Sequence, residues 1–148
     1  MDMVPVTREL LNTSYDEGKP YLHTLPKKEL VDLSVMYTTM GPSHAVIYKE
    51  KLICCGGIIL SSTGVGSLWA NVTTHVTSAP IFFVKQVCDF LNYVASEHHL
   101  RRIETLIDAR YKENLKFASY FHFRKEGRLR RVNPDGTDSY IVAITFPD

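Results

Sequence analysis

The sequence predicts a single domain of mixed α/β class over residues 1–148, and three observations carry that reading. A long amphipathic helix over residues 78–98 lies between strand-like segments at 67–74 and 102–108, the pattern of a crossover between parallel neighbours. The other strand-like segments are joined by short polar turns, which implies antiparallel hairpins. Finally, 148 residues with 45% hydrophobic and 22% charged side chains suffice for one full core without staples.

Residues 1–6 read as a short first strand, ended by Thr7 and a polar helical stretch. Residues 12–20 concentrate Asn, Thr, Ser, Asp, Gly and Pro and read as a loop. Over 26–37, Leu30, Val31, Leu33 and Met36 hold helical spacing, with Pro26 at the start and Gly41-Pro42 beyond the end. Residues 45–48 form an apolar strand, Lys49-Glu50-Lys51 a polar turn, and 52–60 the return strand. Gly56-Gly57 inside that strand marks a bulge or a close backbone approach. Residues 61–66 turn the chain into strand 67–74, which carries Leu68, Trp69 and Val72.

In the long helix Ser78 is a candidate cap and Pro80 suits the first turn. Phe83, Val87, Leu91 and Val94 recur along one face, with Val84, Cys88 and Ala95 beside them. Ile103, Thr105 and Ile107 alternate through 102–108, and a shorter helix spans 113–121. Residues 123–132 and 139–146 pair as a hairpin around Asn133-Pro134-Asp135-Gly136.

The net charge of +1 gives no global field for nucleic acid, and no apolar run approaches the ~20 residues of a membrane span. Neither nucleic acid nor membrane is expected as a partner. Without a secretion pattern the expected compartment is the cytoplasm, and the sequons at Asn12 and Asn71 are coincidental. Cys54, Cys55 and Cys88 lack zinc-ligand spacing and read as small core residues, so no metal is expected. The pair His98-His99 ends the long helix, where it favours the dipole. Arg124, Lys125, Arg128, Arg130 and Arg131 form a basic cluster relieved only by Glu126. Its expected role is a solvated, charge-protected edge strand, although the same side chains suit phosphates.

The element order resembles the GNAT (GCN5-related N-acetyltransferase) fold over residues 3–146. A short helix leading into Phe121-His122-Phe123-Arg124-Lys125-Glu126-Gly127 is similar to the family ending, a short helix followed by L-G-F, two residues and E-G. It departs at His122, where the family has glycine. Gly64-Val65-Gly66-Ser67-Leu68-Trp69 and Asn133-Pro134-Asp135-Gly136-Thr137-Asp138 resemble the small GNAT-like proteins of tailed phages, of the internal virion or assembly type. The resemblance implies a mostly antiparallel sheet with one splayed parallel pair and helices on both faces. It implies acetyl-CoA as acyl donor and an amine, not identified, as acceptor by direct attack. The phage likeness implies an alternative. That alternative is a non-catalytic protein of virion assembly, virion interior or host takeover, partnered by phage or host proteins in the host cytoplasm or the virion.

In the family, a bulge splays the strand before the crossover helix, and the pantetheine arm bonds to the freed backbone. The pyrophosphate then meets the helix N-terminus. Carried onto this sequence, the implied cofactor residues are Asn71, Val72, Thr73, Thr74, Thr77, Ser78 and Ala79. The family's glycine-rich turn is here Thr74-His75-Val76-Thr77-Ser78-Ala79-Pro80, with neither glycine nor arginine. Ala79 permits close approach, Thr77 and Ser78 offer hydroxyls, and Pro80 removes an N–H. The position of the family's catalytic tyrosine holds Ala118, that of its asparagine Tyr111, and no glutamate stands between Trp69 and Thr74. No catalytic residue is therefore assigned. His75 and Tyr120 are the nearest titratable candidates, against plain readings as an exposed loop histidine and a core or rim aromatic.

Overall fold

A computed structural model describes residues 2–18 and 25–147. In chain order the elements are β1 (Asp2–Val4), α1 (Arg8–Glu17), α2 (Lys27–Thr38), β2 (Ser43–Tyr48), β3 (Lys51–Ser62) and β4 (Val65–Val72). A short 3-10 helix (Thr74–Ser78) leads to α3 (Pro80–Glu97), then β5 (Arg102–Asp108), α4 (Lys112–Ser119), β6 (Arg124–Leu129) and β7 (Ser139–Thr145). Seven strands form one sheet in the order β1-β2-β3-β4-β5-β7-β6 among the described residues. Only β4 and β5 run parallel there, as the crossover through α3 requires.

Strand alternation divides the core into two layers. On one face α1 and α2 bury Leu11 and Val31 against Ala45, Leu52, Cys55 and Trp69. On the other, α3 sets Phe83, Leu91, Val94 and Ala95 on Val46, Cys54, Ile58 and Ile103. Phe83 stacks on Phe117 of α4 with ring centroids 6.0 Å apart, and Phe121 meets Phe117 edge-on at 5.0 Å. This aromatic trio fixes α4 to the first half of α3. Burial pushes the Cys55 thiol up to about 11 and the Cys54 thiol higher still, so both are neutral core residues at ordinary pH.

The expected loop over residues 12–20 is corrected: residues 12–17 continue α1 to Glu17, while residues 19 and 20 lie outside the described residues. Turn-forming side chains are accommodated because they bond within the helix. Thr7 caps it, accepting from Leu10 N at 3.1 Å, while Thr13 and Ser14 hydroxyls donate back to the carbonyls of Glu9 and Leu11. Leu11 and Ser14 are fully buried, so tertiary packing outweighs local propensity. Of the expected first strand, Asp2–Val4 is extended and Met1 lies outside the described residues.

Gly56-Gly57 makes the close approach and not the bulge. A Cβ on Gly57 would lie 2.5 Å from Pro42 O, and one on Gly56 2.8 Å from Trp69 O. The β2–β3 register shifts between Val46 and Ile47, leaving Ile53 as the extra residue. The strand expected over 67–74 ends at Val72, and Thr74 already belongs to the 3-10 helix. Ser78 does not cap α3. The N-cap is Ala79, at φ −154° and ψ 59°, with no side-chain cap bond.

Candidate functional site

β4 and β5 pair through only three positions, Val65↔Arg102, Gly66↔Ile103 and Ser67↔Glu104, and then part. The crotch of this fork is tied by a side chain: the Thr105 hydroxyl donates to the Leu68 carbonyl at 2.9 Å. That bond shows Leu68 turning its polar backbone edge toward β5. In an antiparallel ladder the residue two positions on turns the same way, so the N–H and C=O of Ala70 face the gap with no strand opposite. The β3–β4 register is unbroken from Cys54↔Val72 to Leu60↔Gly66, so no bulge in β4 opens the fork, contrary to the expectation.

Beyond the crotch lies a cleft of about 960 Å³. Val72 and Ala70 form one wall, Ile107 and Asp108 the other, and Phe83, Tyr111 and Phe117 line the helical side. It falls in the size range of small-molecule and cofactor sites.

The turn into α3 uses up most of its own N–H groups. Thr73 accepts from His75 N at 3.2 Å and donates to Leu52 O at 2.6 Å, anchoring the turn to β3. Val76 N donates to Thr73 O and Ala79 N to Val76 O. Pro80 has no N–H, and Phe83 N starts the regular ladder by donating to Ala79 O. The N–H groups of Ile81 and Phe82 are left at the positive end of α3. Their side chains are 82% and 65% exposed.

Of the residues named from the sequence, Val72, Thr73, Thr74 and Thr77 line the cleft. Asn71, Ser78 and Ala79 stand off its wall. Asn71 projects with Trp69 to the α1–α2 face, where its Nδ2 is buried without a hydrogen-bond partner among the described residues. Ser78 is exposed and Ala79 buried. His75 is held by Glu17, Nε2 to Oε2 at 3.0 Å, and does not line the cleft. Tyr120 caps the C-terminus of α4, 51% exposed, with its ring edge-on to Phe117. Ala118 and Tyr111 both line the cleft.

The sequence reading missed Asp108 and Arg110. Arg110 grips both oxygens of Asp108, at 2.9 and 2.5 Å, and reaches Asp135 in the β6–β7 turn at 2.9 Å. The hydrogen bonds from Arg110 hold the Asp108 carboxyl below the usual range, so it is ionised at neutral pH. The Thr137 hydroxyl and N–H do the same for Asp135, helped by Arg110. This clasp fastens the turn bearing Asn133 and Pro134 to the mouth of the cleft. Of the basic cluster, Arg130 and Arg131 lie in the turn beyond β6, while Arg124, Lys125 and Arg128 sit on β6, at the edge of the sheet. There Arg128 bonds Asp138 at 2.7 Å and Lys125 lies 4.5 Å from the Tyr140 ring centre. Among the described residues, no three His, Cys, Asp or Glu side chains are grouped as a metal would need, and no helix is long and apolar enough to cross a membrane.

No family model and no curated protein matches the sequence. Solved structures do. Ard1 from Thermoplasma volcanium superposes with a TM-score of 0.78 at 9% identity, covering 99% of this chain and 98% of that one. A variant of the spermidine N-acetyltransferase SpeG from Vibrio cholerae gives 0.71 at 14% identity, over 98% and 95% of the two chains. RimJ from Mycobacterium smegmatis, in complex with CoA-disulfide, gives 0.71 at 15% identity, over 97% and 80%. This is the GNAT fold. At such identities the likeness is one of fold, and function has to be argued from the site. Two features of this GNAT fold bear on that argument: the β4–β5 fork and the N-terminus of α3.

Proposed function

We propose that the chain is an acyl-CoA-dependent N-acyltransferase that takes acetyl-CoA as donor and an amine as acceptor. The observation that carries this reading is the fork, where two parallel strands lose each other after three pairs and leave a polar backbone edge facing an apolar cleft. The residues present fit the cofactor in part. Ala70 offers an N–H and a C=O to an amide-bearing arm in the manner of an added strand. Ile81 and Phe82 offer N–H groups to a pyrophosphate at the helix dipole. The turn from Thr74 to Pro80 supplies no glycine cradle, so the phosphate grip is weaker than the family's.

When bound, acetyl-CoA supplies a thioester carbonyl carbon that the amine nitrogen attacks, the C–S bond breaking while the amine loses a proton and the sulfur gains one. Val72, Phe83 and Phe117 exclude water from that centre. The Asp108–Arg110–Asp135 clasp, two carboxylates to one guanidinium, draws an ammonium to the mouth of the cleft, where it gives one proton to water and then attacks as the neutral amine. Ala118 carries no proton to the sulfur, and catalysis here rests on positioning, with water carrying the proton.

The test is a calorimetric titration of acetyl-CoA into the parent protein and Ser78→Asp. Ser78 is exposed and caps nothing, so the variant folds, and its charge repels the phosphates at α3. The proposal expects parent binding and a loss of about tenfold or more in the variant, one charge-assisted contact. Equal binding by both would move the phosphates elsewhere, and no binding by the parent would remove the enzyme reading. A second reading, a non-catalytic GNAT-fold protein of phage assembly, virion interior or host takeover, is favoured by the consumed N–H groups of the turn and by Ala118. It expects no binding by either protein.

A further inference from the structure

We propose that the site accepts acyl groups longer than acetyl, in a lane that runs from the fork beneath α3 to β2; this rests on the acyl-CoA reading above. The lane follows from register. Ala70 lies opposite Gly56, and Gly56 opposite His44, so all three project to the α3 side in one row across the sheet. On one flank runs the row Val72, Cys54 and Val46, and on the other Leu68 and Ile58. The middle row presents a methyl group and a hydrogen between two rows of larger side chains. That makes a trough.

The trough is open. Ile58 and Cys54 on its flanks are buried, whereas Ala70 is exposed and Gly56 and His44 are partly accessible although α3 passes over them. Gln86, Val87 and Phe90 of α3 line the same cavity from above. Glycine at position 56 keeps the floor flat, since a Cβ there would come within 3.3 Å of the Ala70 methyl. His44 closes the far end, its ring edge-on to Phe90 at 5.5 Å. From β4 to β2 is two strand spacings, about 10 Å. At about 1.2 Å per bond of an extended chain, that length admits roughly six to eight carbons. Acetyl would leave this volume to water. An unbranched saturated chain of that length would fill it.

Calorimetric titration with CoA, acetyl-CoA, hexanoyl-CoA and octanoyl-CoA tests the inference. On the parent protein, hexanoyl-CoA is expected to bind about tenfold or more tightly than acetyl-CoA, through its added buried methylenes. Val87→Phe lowers the roof and is expected to abolish that advantage while keeping acetyl-CoA affinity. His44→Ala lengthens the lane and is expected to shift the preference from hexanoyl toward octanoyl. The Nδ1 atom of His44 has no hydrogen-bond partner among the described residues, so the substitution breaks no bond at that atom. Equal affinity for acetyl-CoA and hexanoyl-CoA on the parent would overturn the inference and leave the acyltransferase reading standing. So would a chain-length preference unchanged in both variants. Failure of CoA and every thioester to bind would instead overturn the acyltransferase reading, and the lane with it.

Discussion

His122 stands at φ 71°, in the left-handed region that glycine enters without steric cost. It follows α4, where His122 N donates to Ser119 O and Phe123 N to Ala118 O, closing the helix and turning the chain into β6. The family's glycine at this point therefore has a backbone reason, and histidine occupies it under strain. His122→Gly is expected to raise stability by up to about 1 kcal/mol, the relief of a left-handed L-residue less the entropy glycine adds to the unfolded chain. A lower urea midpoint for the variant would contradict this. The Asp108–Arg110–Asp135 clasp makes a different residue-scale prediction. The Asp108 carboxyl is depressed in the fold, so its stabilisation is full above its unfolded value near 4 and fades as pH falls through the folded one. Arg110→Gln should be less stable than the parent at pH 7, and the gap should shrink by pH 3. A gap independent of pH would show that the clasp acts through packing alone.

At the scale of elements, what the sequence disclosed depended on periodicity. α3 was legible because Phe83, Leu91 and Val94 set a wide apolar stripe over about three turns. The end of α1 was not, since Thr13 and Ser14 are turn formers whose hydroxyls bond back to carbonyls of the helix, which packs on β3. The start of α3 was misjudged for a related reason: Ser78 is a good cap by type, but the preceding 3-10 helix already bonds Ala79 N and passes the cap position to Ala79. If burial holds α1 in place, Leu11→Ala should cost about 2–5 kcal/mol in denaturant unfolding, whereas Ile81→Ala should stay within about 0.5 kcal/mol. Similar costs at both positions would contradict this division of labour.

For the whole molecule, the order of elements foretold the crossover and hence the parallel pair, because a helix of that length between two strands leaves little else. The three-residue extent of β4–β5 pairing was not readable, since it depends on Thr105 reaching Leu68 across the crotch. Nor was the lane, which needs the register that puts His44, Gly56 and Ala70 in one row. Asp108 and Arg110 carried no motif; only the folded hairpin brings Asp135 to them. In the proposed function the fork and the start of α3 together hold an acyl-CoA. Amide hydrogen exchange with and without acetyl-CoA tests it most directly, because Ala70, Ile81 and Phe82 carry the N–H groups assigned to the pantetheine arm and the pyrophosphate. Slowed exchange at all three amides on adding acetyl-CoA is expected, with β6 unchanged. Unchanged exchange at these amides, or protection confined to β6, would contradict it.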